Sequence, residues 1–172
     1  MRLRDLSHTE KPGAELHELM IDSSVARAMQ EHELLQNELM DIYVQARKIG
    51  SEGDLKQMNR DVRQLGDSVK RFMKHWSDHA HWEDEQLFPN AASVLGTEPE
   101  LFSLMEREHE LAEEYIRVFM QALERAVFPI DQEEARKLTA LLLQAHAVLK
   151  NRFREEEEIM LELTDRSNAY GF

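Results

Sequence analysis

Apolar residues recur along this chain at spacings of three and four, and four long stretches keep that rhythm. A helix advances about 100° per residue, so positions i, i+3, i+4, i+7 and i+11 share one face. Val25, Leu39 and Tyr43 make a first stripe, and Phe72, flanked by Trp76 and Trp82, begins a second. Phe102, Met105, Ile116 and Met120 make a third, and Leu138, Leu142, Ala145, Leu149 and Leu163 a fourth. Polar punctuation separates them. Asp22-Ser23-Ser24 offers N-caps to a helix ending near Ile49, where Gly50 supplies a left-handed stop. Asp54 starts a second helix that lasts to Phe88, because Pro89 ends it. Thr97-Glu98-Pro99-Glu100 is a capping box for a third helix ending near Phe128-Pro129, and Asp131-Gln132-Glu133-Glu134 opens a fourth that ends near Thr164. Residues 1–21, with Pro12-Gly13, are expected as a loosely packed arm with one short turn around Leu16–Met20, and residues 165–172 as a frayed tail. Short connections between long helices predict an all-α, antiparallel up-down-up-down four-helix bundle over residues 22–164. No strict heptad repeat supports a long coiled coil instead.

The stripes are interrupted by residues that do not belong in an apolar core. His32 falls in the middle of the first, His75, His79 and Glu83 run along the second, His109 and Glu113 break the third, and Arg152 and Glu156 share the face of the fourth. One buried histidine is commonly a hydrogen-bonded core residue. Burying an unpaired carboxylate costs several kcal/mol, so inward-facing ionisable groups on four helices at one level must satisfy each other or a shared cation. Imidazole nitrogen and carboxylate oxygen without sulfur are the donors that iron, manganese or zinc accept in a bundle core.

Composition narrows the chemistry further. The 172 residues contain no cysteine, which removes disulfides, thiolate zinc, iron–sulfur clusters and thiol nucleophiles. Thirty-four Asp and Glu against 21 Lys and Arg leave a formal charge of −13, which opposes binding to nucleic acid or to anionic membrane. With no signal-like N-terminus and no apolar run long enough to span a bilayer, a soluble cytoplasmic protein is expected.

The two halves of the chain repeat one another. Glu31-His32-Glu33-Leu34 recurs as Glu108-His109-Glu110-Leu111, and His79-x-x-x-Glu83 corresponds to Arg152-x-x-x-Glu156. A pseudo-twofold axis would run through the polar cluster, where a two-metal site bridged by two carboxylates belongs. The run His79-Ala80-His81-Trp82-Glu83-Asp84-Glu85-Gln86-Leu87-Phe88-Pro89 resembles the H-x-x-x-E-E-x-x-L-F-P segment of the hemerythrin-like, or HHE cation-binding, family. Both E-H-E-L segments resemble its other helix signatures, and the likeness covers about residues 24–164. It implies a non-haem iron site, commonly di-iron, that reacts with dioxygen or nitric oxide or handles iron, for sensing, carriage or scavenging.

Carried over residue by residue, the resemblance assigns His32, His79, His109 and Glu83 to ligand positions, Glu83 and Glu156 to bridging carboxylates, and Glu113 to a further ligand. Arg152 departs from the pattern, since the family offers His there and a guanidinium cannot bind a cation. Three arrangements are open. Arg152 pairs with Glu156 or Glu83 and replaces one metal, it turns to solvent while His75 or His146 completes a two-metal site, or the bundle is a metal-free structural or interaction module with Arg152 paired to the core carboxylates. His81 and the remainder of Glu155–Glu158 read as surface, Tyr43 as core, and His8 and His17 as solvated. Triads, phosphate loops and the H-E-x-x-H motif are absent, so a metal- or gas-binding protein is expected rather than an enzyme.

Overall fold

The computed structural model describes the backbone of residues 12–95 and 99–170, and the side chains of residues 22–93, 107, 110–162 and 164–165. Helix α1 spans Pro12–Ser51, α2 Leu55–Trp82, α3 Phe88–Leu95, α4 Pro99–Arg125 and α5 Gln132–Tyr170. A five-residue π-helical turn, Glu83–Leu87, joins α2 to α3, so the two form one rod. Rods α1 and α2 pack side by side, α5 packs against both α1 and α4, and α4 closes the square against α2. This is the antiparallel four-rod bundle expected from the stripes. Among the described residues there is no strand, and no helix is long and apolar enough to cross a membrane.

Two of the expected caps form. The Asp54 carboxylate accepts from the backbone N–H groups of Lys56 and Gln57 at 3.0 and 3.4 Å, and Asp131 Oδ1 accepts from Glu134 N–H at 2.8 Å. Other boundaries differ. Helix α1 begins at Pro12, which suits a first helical position, and passes straight through Asp22-Ser23, whose exposed side chains face water and do not interrupt it. Gly50 stays helical, has open space around it, and the helix runs on to Ser51. Helix α5 continues past Thr164 to Tyr170.

Pro89 does not end the second rod. A proline cannot donate an N–H and its ring crowds the preceding turn. The chain answers by widening: Phe88 N–H reaches back five residues to Glu83 O, and helix resumes through Pro89 to Leu95. At the other end of this rod, α2 and α4 approach closely at Gly66, where an added Cβ would stand 2.5 Å from Leu123 Cδ2.

The core comes in two parts. Leu35, Leu39, Ile42 and Ile49 of α1, Met58, Val62, Leu65, Phe72 and Trp76 of α2, Ile116 and Phe119 of α4, and Leu142, Leu149 and Phe153 of α5 fill the larger. Ala28, Trp82, Leu87, Phe88 and Met160 fill the smaller. Between the two lie the buried polar residues of α1, the second rod and α5.

Candidate metal centre

Three of the rods present polar residues at that level, and the residues before and after them on the same face are apolar. His32 lies between Ala28 and Leu35 on α1, His79 and Glu83 between Trp76 and Leu87, and Arg152 and Glu156 between Leu149 and Met160 on α5. All five are 0 to 2 % exposed. Donor atoms of His32, His79, Glu83 and Glu156 lie within 4.8 Å of one another.

Their contacts are short but poorly explained by hydrogen bonding. His32 Nε2 is 2.7 Å from Glu156 Oε2, and His79 Nε2 is 2.5 Å from Glu83 Oε1. Yet both ring nitrogens of His32 and Nε2 of His79 have no hydrogen-bond partner among the described residues, and Glu83 faces a second carboxylate, Glu156. His79 shows why. Its Nδ1 lies 2.6 Å from Glu31 Oε2. The Glu31 carboxyl is held below the usual carboxylate range: partial burial alone would raise it, but the bonds from His79 and Arg27 outweigh that. Ionised Glu31 can only accept, so His79 Nδ1 donates and Nε2 of the neutral ring carries a lone pair. Burial lowers the His79 pKa, against the pull of Glu31, and keeps the ring neutral. A nitrogen lone pair thus meets a carboxylate oxygen in a dry interior, an approach that needs a proton or a cation between them.

The carboxylates feel the same strain. Burial first, and then the facing carboxylate of Glu156, push the Glu83 pKa well above the ordinary range, with Arg152 opposing. Arg152 Nε donates to Glu156 Oε1 at 2.5 Å, and its guanidinium carbon lies 5.7 Å from the centroid of the Phe88 ring. Among the described residues, two buried carboxylates against one guanidinium leave one negative charge. Lone pairs from two imidazoles and two carboxylates converging on uncompensated charge suit a borderline divalent cation.

Outer groups brace this cluster. Arg27 Nε donates to Glu31 Oε1 at 3.0 Å while its guanidinium carbon lies 4.3 Å from the Trp82 ring centroid, so Glu31 is fixed from the surface side. Glu157 Oε1 accepts from Gln36 at 2.9 Å and stands 3.9 Å from His32 Nδ1. Phe153 meets the His32 ring edge to face at 4.9 Å. Phe153 and Glu157 also line a groove of about 640 Å³ between α1 and α5.

The other residues singled out from the sequence lie elsewhere. His75 is exposed and 2.6 Å from Glu38; Trp76 takes the inward place, because positions 72, 76, 79 and 83 face the core and 75 falls off that line. His146 is half-buried and stacks on Tyr43 at 4.4 Å in the α1–α5 groove, with its pKa lowered by burial and by Lys150. Tyr43 is therefore a half-buried groove wall. Glu113 is half-buried and accepts from Trp76 Nε1 at 3.1 Å, outside the cluster. His81 is exposed beside Glu85. The backbone of His109 belongs to α4, but its side chain lies outside the described residues, as do those of His8 and His17. Of the three arrangements open for Arg152, the turn toward solvent is overturned: the side chain is fully buried on Glu156, since an inward i+4 carboxylate holds it there. Glu31 and Glu157 escaped sequence reading, because an acid at the edge of a helix face looks like any solvated one.

The profile of the hemerythrin HHE cation-binding domain matches residues 23–164. No curated protein and no solved structure matches the chain. With four rods and a buried His/Glu cluster inside the matched span, the chain belongs to the hemerythrin HHE cation-binding domain family.

Proposed function

We propose that this chain is a non-haem iron-binding protein that reacts with dioxygen or nitric oxide, with His32, His79, Glu83 and Glu156 as ligands. The observation that carries the reading is the set of buried ring nitrogens and carboxylate oxygens that converge within 4.8 Å, most of them without a hydrogen-bond partner among the described residues. His109, on α4 one turn before buried Ala112, is the further ligand that the family pattern assigns, and Glu113 is a reserve position. Manganese and zinc suit the same donors. Bound iron would supply a redox-active, Lewis-acidic centre to a diatomic gas. The protein holds the donors ready for it. Glu31 fixes the His79 tautomer with Nε2 inward, the apolar clusters above and below exclude bulk water, and the α1–α5 groove brings small molecules up to Phe153 and Glu157, directly behind His32.

One observation favours a second reading. The Arg152–Glu156 bond already compensates one core carboxylate, and a proton on Glu83 would compensate the other, which describes a metal-free structural bundle. Metal analysis separates the two. Protein purified without an affinity tag and reconstituted anaerobically with Fe(II) is expected to retain stoichiometric iron after desalting and to change its optical spectrum on addition of nitric oxide. Retention of only trace iron or manganese would favour the metal-free bundle.

A further inference from the structure

The cluster has two halves built on one plan that end in different groups. On the second rod His79 stands one turn before Glu83, and its Nε2 is 2.5 Å from Glu83 Oε1. On α5 Arg152 stands one turn before Glu156, and its Nε is 2.5 Å from Glu156 Oε1. The matched runs His79-x-x-x-Glu83 and Arg152-x-x-x-Glu156 bring the two carboxylates together, with donor atoms within 4.8 Å of one another. Where one half offers a lone pair to a cation, the other brings a cation of its own.

We infer that the Arg152 guanidinium is a built-in second cation, seated where a second metal ion would meet Glu156, and that it limits this centre to a single ion. The inference rests on the metal reading above. Three features support it. Arginine remains protonated in any protein environment, so its charge is permanent. The side chain is fully buried and lies beside the ring of Phe88, the first residue after the π turn. Charge balance among the described residues agrees: Arg27 already pairs with Glu31, so Glu83 and Glu156 oppose Arg152 alone, and the one negative charge left leaves room for one divalent ion, whereas two would leave the dry interior strongly positive.

Iron bound per chain after anaerobic reconstitution of the full-length protein tests this, with wild type, Arg152→His and Arg152→Gln measured side by side and helicity recorded for each. One iron for wild type and two for Arg152→His is the expected result. Two irons in wild type, or one in a folded Arg152→His, would overturn the inference while leaving the metal reading intact; no iron in wild type would remove both. Arg152→Gln guards against a misfolded histidine variant. Removing a fixed positive charge beside the carboxylates should tighten binding of the first metal ion about tenfold or more, read with Mn(II) in competition against a chelator. Unchanged or weaker binding would show that Arg152 only braces the fold, and would sink the proposal.

Discussion

A histidine lone pair 2.5 Å from a carboxylate oxygen is the sharpest single feature of this molecule, and Glu31 creates it by claiming the other ring nitrogen. Glu31→Gln keeps the size of that partner but loses its charge and its obligatory acceptor role. It should weaken metal binding by about 10–100-fold while the metal-free protein melts as wild type does. Competition titration with a chelating dye measures the first, and thermal denaturation the second; equal loss in both would make Glu31 merely structural. Glu83 makes a pH prediction. Its folded pKa is raised, chiefly by burial, so the stability linked to it is fully present below the ordinary carboxylate range and is lost as pH rises through the elevated value. Glu83→Gln cannot ionise. In chelator-treated samples the variant should therefore gain on wild type as pH rises above the ordinary carboxylate range, and a difference in melting temperature that stays constant with pH would contradict the assignment. His32, His79, Glu83 and Glu156 were legible from sequence because an ionisable residue inside an apolar stripe stands out. Glu31 and Glu157 were not, because one of 34 acids at a helix edge carries no local mark.

At the scale of elements, capping chemistry identified where α2 and α5 begin, since Asp54 and Asp131 act through bonds to the next turn. Stop signals served less well. Gly50 and Pro89 are breakers by local preference, yet Gly50 stays helical, with the end of α1 one residue later, and the second rod continues past Pro89. The π turn at Glu83–Leu87 explains the second case, and it begins at the carboxylate that faces Glu156. The close pass of α2 over α4 yields its own test. Gly66→Val would force a branched side chain against Leu123 and should cost about 1–3 kcal/mol in urea denaturation. Unchanged stability would mean that the Leu123 side chain turns aside without cost.

For the whole molecule, the bundle consists of two apolar cores with a polar layer between them, and a bound cation would tie that layer together. A ligand that binds only the folded chain stabilises it by mass action. Free metal at a hundredfold excess over its dissociation constant should raise the melting temperature by roughly 5–10 °C. His79→Ala should lose most of this gain along with the metal, because binding energy is partly folding energy; an undiminished gain would take His79 out of the site. Diffraction from a reconstituted crystal at the iron absorption edge tests the central claim most directly. The account predicts one anomalous peak among His32, His79, Glu83 and Glu156, and a map with no peak there, or with its signal at the surface, would contradict it.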